Sequence, residues 1–176
     1  MVIGLDLSLT GTGICRLRGA VVDRLATVKP GKRIGIPRMR YILEAITDVQ
    51  RGEHIDLAVV EGPSYGSAKG QRGHHERAGL WWLVAYGLER ADQAYAVAPP
   101  RNRAQYATGN GASGKPAVMA AVNQRYGLAV TDDNQGDAAT LAYMGADWLG
   151  VRVPPVPAHH RKALDKCAWP AVPGEE

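Results

Sequence analysis

Short apolar runs and amphipathic stretches alternate along this chain. Val2, Ile3 and Leu5 form a brief apolar run that ends at Asp6, the pattern of a buried strand. Ser8, Thr10, Gly11 and Gly13 then make a polar turn, and Ile14 to Arg18 alternates as a second strand. Gly19 separates that run from Ala20 to Val28, which predicts a hairpin. A basic, Gly/Pro-marked loop follows from Lys29 to Gly35. Pro37 suits a first helical turn, and Met39, Ile42, Leu43, Ile46 and Val49 share one helical face. The spacing predicts an amphipathic helix over 37–51, ended by Gly52. Ile55 to Val60 is mostly apolar, as in a central strand covered on both faces, and it closes at Glu61 before Gly62-Pro63.

Ser64 to Arg77 carries Gly66, Gly70 and Gly73 and is expected to be irregular. Ala78 to Arg90 reads as a helix with Trp81, Val84, Ala85 and Leu88 on one stripe. Trp82 lies off that stripe, as a second-face core residue or a subunit contact; the contact is preferred, because exposed Trp is uncommon without a partner. Ala94 to Ala98 is a short strand stopped by Pro99-Pro100. The run TGNGASGK, Thr108 to Lys115, is a flexible loop ahead of a helix that begins at Pro116. In the last core element, Thr131 to Gly150, one helical face holds Ala138, Leu141, Ala142, Gly145, Trp148 and Leu149. From Val151 onward there are five prolines and no periodicity longer than a turn. That part reads as a poorly ordered or surface-draped tail. The expected organisation is a domain over residues 1–150 and a tail over 151–176 that is not a second domain.

Composition narrows the picture only a little. At 176 residues the chain is long enough for a full core. The net charge is +4 and the pI about 9.2, which permits an anionic partner without demanding one. Cys15 and Cys167 lie far apart, with no metal-binding spacing, and fit a reducing cytoplasm better than a disulfide framework. No apolar stretch is long enough to span a membrane and no signal peptide is visible.

The candidate chemistry lies in the acids. Asp6 and Glu61 each end a core strand. Asp133 and Asp137 are four apart, so on a helix they share a side, with Asn134 beside them. Acids at a helix start often serve only the dipole, but Asp137 lies deeper and borders the apolar stripe. Carboxylates brought close together repel unless a cation lies between them. An oxygen-only set selects Mg²⁺ or Mn²⁺, and two such ions suit phosphodiester hydrolysis. Basic residues are expected to face DNA and supply phosphate contacts around the site. Pro99 to Gly127 has Arg101, Arg103, Lys115 and Arg125 and no acid, and the 64–77 loop adds Lys69 and Arg72. Lys115, beside a helix start, suits a phosphate. The run from Gly109 is not a P-loop, because Pro116 stands where the Mg²⁺-binding Ser or Thr would be. Tyr65 is placed to stack on an unpaired base or to pack on its own domain.

Four segments together resemble the RuvC-type Holliday junction resolvases of the ribonuclease H-like superfamily, particularly their bacteriophage relatives. They are GLDLSLTGTGI around Asp6, VVEGPSYG around Glu61, PPRNRAQYATGNGASGK, and DDNQGDAATLAYMG around Asp137. They occur in the family's order between Val2 and about Gly150. The resemblance implies an α/β fold with a mixed five-stranded sheet flanked by helices, a homodimer, and Mg²⁺-dependent paired nicking of four-way DNA junctions. Asp6, Glu61 and Asp137 then match metal-binding acids, Lys115 the family's basic residue, and Tyr65 an aromatic that contacts the junction. One position departs. Where relatives often place Asp or His, three residues before the final Asp, this chain has Asn134. Either Asn134 coordinates through its carbonyl or Asp133 takes over, and Asp133 is preferred. The proline-rich tail also departs from the compact bacterial enzymes. Other readings are a nuclease of the same fold acting on forks, flaps or RNA, and a non-catalytic branched-DNA-binding module. An actin-like ATPase would need a second phosphate loop and a longer chain.

Overall fold

The computed structural model describes residues 1–50, 53–63 and 73–171. Five strands make one mixed sheet: β1 (Val2–Asp6), β2 (Thr12–Arg18), β3 (Val21–Val28), β4 (Leu57–Glu61) and β5 (Tyr95–Ala98), in the order β3-β2-β1-β4-β5. The first three form an antiparallel meander, while β1–β4 and β4–β5 are parallel. Val2 pairs with Leu57 and Leu5 with Val60. In that register Asp6 and Glu61 follow side by side at the same end of two central strands.

Strand side chains alternate between two faces, and each face has its own helical cover. Ile3, Leu5, Ile14, Ala58 and Val60 pack on α1 (Gly35–Gln50) and α2 (His74–Arg90). Val2, Cys15, Leu57, Val59 and Ala96 pack on α5 (Asp133–Trp148), flanked by α3 (Pro100–Thr108) and α4 (Lys115–Tyr126). Asp6 and Glu61 fall on the α5 face by the same alternation. Helix α5 lies unusually close to the sheet. A Cβ on Gly4 would stand 2.1 Å from the Ala138 carbonyl oxygen, and one on Gly13 would stand 2.1 Å from that of Asn134. Glycine at these two strand positions is what admits the helix backbone.

The expected ribonuclease H-like architecture is the one observed, with four local corrections. Regular structure begins at His74, inside the segment expected to be irregular through Arg77. Gly73, at a φ of 85°, sets the turn into that helix. Pro100 does not merely stop β5; it opens α3 as its first residue, where a missing N–H costs nothing. The tail, through its last described residue, is ordered. Ala158–Arg161 is one helical turn (α6), Leu164–Lys166 a 3-10 turn, and Ala163 and Leu164 are buried. Ala168 bridges to Val97 on β5, and Trp169 stacks on Trp148 with ring centroids 4.9 Å apart. Leu149, expected on the buried face, lies just past the end of α5 and is 39% exposed. Among the described residues, no helix is long and apolar enough to cross a membrane.

Candidate active site

Three of the four sequence-nominated acids come together. Asp6 arrives at the end of β1, Glu61 at the end of β4, and Asp137 from the second turn of α5. The parallel pairing sets the first two side by side, and the glycine-allowed approach of α5 brings the third over them. Asp6 and Asp137 are buried, and Glu61 is half-buried. The Glu61 backbone is fixed as well: Trp81 Nε1 on α2 donates to its carbonyl oxygen at 3.0 Å.

Arg103 stands inside this cluster. Its Nε donates to Glu61 Oε1 at 2.6 Å, and its Nη1 donates to Asp137 Oδ1. Arg103 was expected on a DNA-facing surface; the structure instead buries it between two acids. Sequence reasoning missed this pairing, and the visible signal was slight: a basic residue on a helix with no acid of its own to pair with.

The electrostatics follow from the count of charges. Three carboxylates face one guanidinium in a poorly hydrated site. Burial, then the charges of Glu61 and Asp137, push Asp6 up to about 8; a hydrogen bond shared with Glu61 adds to this and Arg103 opposes it. Burial also raises Asp137, to about 6, against the pull of Arg103. For Arg103, burial works against the charge, but Glu61 and Asp137 more than offset it and hold the guanidinium protonated. The donor set fits a divalent cation: oxygen-only, clustered and short of positive charge, so that Asp6 retains a proton where a cation would replace it. As the side chains stand, no three His, Cys, Asp or Glu among the described residues close around one ion. The Arg103 guanidinium fills the gap between Glu61 and Asp137.

The remaining nominated residues lie at the rim. Asp133, in the first turn of α5, pairs with Lys115 at the start of α4. That contact holds the Asp133 carboxyl below its ordinary range and the Lys115 amine above its own. Asn134 directs its amide toward Gly11 in the turn after β1: a Cβ on Gly11 would lie 3.2 Å from Asn134 Nδ2. Asp132 is a helix cap, accepting from Gln135 N–H at 3.0 Å and from Thr27 Oγ1 at 2.7 Å. Arg101 is exposed and lines a groove of about 480 Å³ with Gly62, Pro63 and Asn102, next to Glu61. On the other side of Glu61, His74, Arg77 and Trp81 line a cavity of about 170 Å³; His74 and Arg77 were not nominated as site residues. Tyr65, Lys69 and Arg72 lie outside the described residues.

Neither a protein-family model nor a curated protein sequence matches this chain. Solved structures do. Thermus thermophilus RuvC is 18% identical, with a TM-score of 0.67 over 85% of this chain and 96% of that one. T. thermophilus RuvC in complex with a Holliday junction substrate is also 18% identical, with a TM-score of 0.71 over 97% of this chain and 98% of that one. The second likeness therefore extends into the proline-rich tail that sequence alone had set apart. The chain has the fold of RuvC.

Proposed function

We propose that this protein is a metal-dependent, structure-specific endonuclease that resolves four-way DNA junctions by paired phosphodiester hydrolysis. The observation that carries the reading is the convergence of Asp6, Glu61 and Asp137 from β1, β4 and α5 at one end of the sheet. The substrate class is supported by the RuvC structure of the same fold that holds a Holliday junction substrate.

Asp6, Glu61 and Asp137 hold Mg²⁺ or Mn²⁺, two ions per site, with Asp133 or Asn134 as the further ligand. Bound metal supplies an activated water and stabilises the leaving oxygen. The chain's own residues do the rest. Lys115 and Arg101, both exposed, hold backbone phosphates and set the register of the DNA. Lys69, Arg72 and Tyr65, read from the sequence, add DNA contacts, the tyrosine by stacking on an unpaired base. Paired cuts need two sites, and a second copy of the chain provides the other. The exposed Trp82, Leu83 and Tyr86 on α2, together with Ile36 on α1, offer an apolar face for it.

The test is cleavage of an immobile four-way junction beside matched linear duplex, fork and RNA–DNA hybrid, each with Mg²⁺ or EDTA. Paired nicks confined to the junction and dependent on Mg²⁺ are expected, with Asp6→Asn and Asp137→Asn inactive but still binding the junction. Broad cutting of forks or hybrids would replace the junction assignment with a general nuclease. Junction binding without cutting under any metal would leave a binding module.

A further inference from the structure

Arg103 has an uncommon position for a long cationic side chain. It lies in the first half of α3, and 9% of its surface is exposed. Two different N–H groups of its guanidinium serve two carboxylates from two other elements, Glu61 on β4 and Asp137 on α5. The rigid fork of an arginine suits that double contact, and a lysine, a point charge, does not reproduce it. A buried ion is tolerated only when it is paired. This pairing ties α3 to two elements, β4 and α5, that otherwise present only negative charge to one another.

The same two oxygens, Glu61 Oε1 and Asp137 Oδ1, belong to the acids assigned above to the metal. A carboxylate lone pair taken by a guanidinium N–H, and the space between the acids that the guanidinium fills, are not free for a divalent cation, and the two cations repel at such range. The geometry points to Arg103 as the resident counter-ion of the metal-free site: it holds Glu61 and Asp137 in place until a divalent cation arrives, and is displaced from at least one of them when it does. This rests on the metal-dependent reading and deepens it. Lys115 and Asp133 repeat the arrangement at the exposed rim, so among the described residues Arg103 and Lys115 are both engaged with acids before metal enters. Competition is reciprocal: whatever the metal costs the arginine's contacts, the arginine costs the metal.

The experiment is calorimetric titration of Mg²⁺ and Mn²⁺ into the full chain, with the thermal unfolding midpoint followed in EDTA and in metal. Wild type is compared with Arg103→Gln and Arg103→Lys. Arg103→Gln is expected to bind metal tighter by about 5-fold or more, the lower end of ordinary coupling. It should also unfold at lower temperature in EDTA and gain more from added metal than wild type does. Arg103→Lys keeps the charge but contacts one carboxylate, so its metal affinity should fall between the other two. This variant decides the matter if Arg103→Gln fails to fold. A metal affinity for Arg103→Lys equal to or weaker than wild type overturns the counter-ion assignment and leaves the metal centre standing. Absence of metal binding by all three proteins overturns the metal centre itself, and this inference with it.

Discussion

Replacing Gly4 by alanine is expected to damage both stability and cleavage, and the structure sets the scale. The added Cβ would lie 2.1 Å from the Ala138 carbonyl oxygen and 2.5 Å from the Ala142 nitrogen, where ordinary contact begins at 3.4 Å. Both are backbone atoms of α5, so no side-chain rotation relieves the clash; the helix must retreat by roughly 1 Å. Overfilling a packed core costs about 1–3 kcal/mol, and a backbone clash belongs at the top of that range. For a chain of 176 residues, about 3 kcal/mol lowers the unfolding midpoint by roughly 6–12 °C. Asp137 precedes Ala138 on the same helix, so it moves away from Asp6 with it. A displacement near 1 Å at a reacting centre costs on the order of 100-fold in rate. Scanning calorimetry and junction cleavage below the lowered midpoint measure the two effects separately. An unfolding midpoint within about 2 °C of wild type would refute the packing argument. A lowered midpoint with undiminished cleavage would refute the claim that the seat of α5 on the sheet sets the acid geometry.

Two further expectations follow from the site and the surface. In EDTA, the native state keeps protons on Asp6 and Asp137, at about 8 and about 6, that the unfolded chain gives up near 3.8; their contribution to stability is complete below that value and is lost as pH rises through 6 and then 8. The midpoint should therefore fall between pH 5 and pH 8, saturating Mg²⁺ should flatten the fall, and Asp6→Asn should remove its upper part; a level profile in EDTA would contradict the raised carboxyls. Trp82 is 67% exposed, and Trp82→Glu should shift the sedimenting species from dimer to monomer at equal concentration, whereas an unchanged mass in both proteins would remove this face from the proposed assembly.

The parts legible in the sequence are those whose signal is local. Val2 to Asp6 and Leu57 to Glu61 announce themselves as short apolar runs closed by an acid, and α1 and α5 as apolar stripes at helical spacing. Helix α3 gives no such stripe. Its buried side include Asn102 and Arg103, made acceptable by the Ala163 carbonyl, Glu61 and Asp137 far away in the chain. No periodicity count detects burial that depends on a distant partner. The tail escaped for a related reason: its two turns are too short to show a period, and what orders it lies far away in the chain, including the stack of Trp169 on Trp148, the bridge to β5, and the contacts of Ala163 with Asn102 and of Arg161 with Asp147. Gly4 was readable in principle, since a glycine inside a strand marks a close backbone approach. What approached it was not.

The acid cluster also has a history in time. Asp6 lies on the first strand and Asp137 on the last long helix. At roughly 5–20 residues per second of synthesis, Asp137 follows Asp6 by on the order of ten seconds. During that interval the meander of β1, β2 and β3 can zip from local pairings, but the sheet face that will receive α5 has no cover and the acids no common site. Closing it requires contacts between opposite ends of the chain, which are slow to form because the intervening loop must be ordered first. A fragment that stops short of α5 carries two of the three acids and no cluster, so the hydrolytic centre proposed here comes into being only with the nearly finished fold.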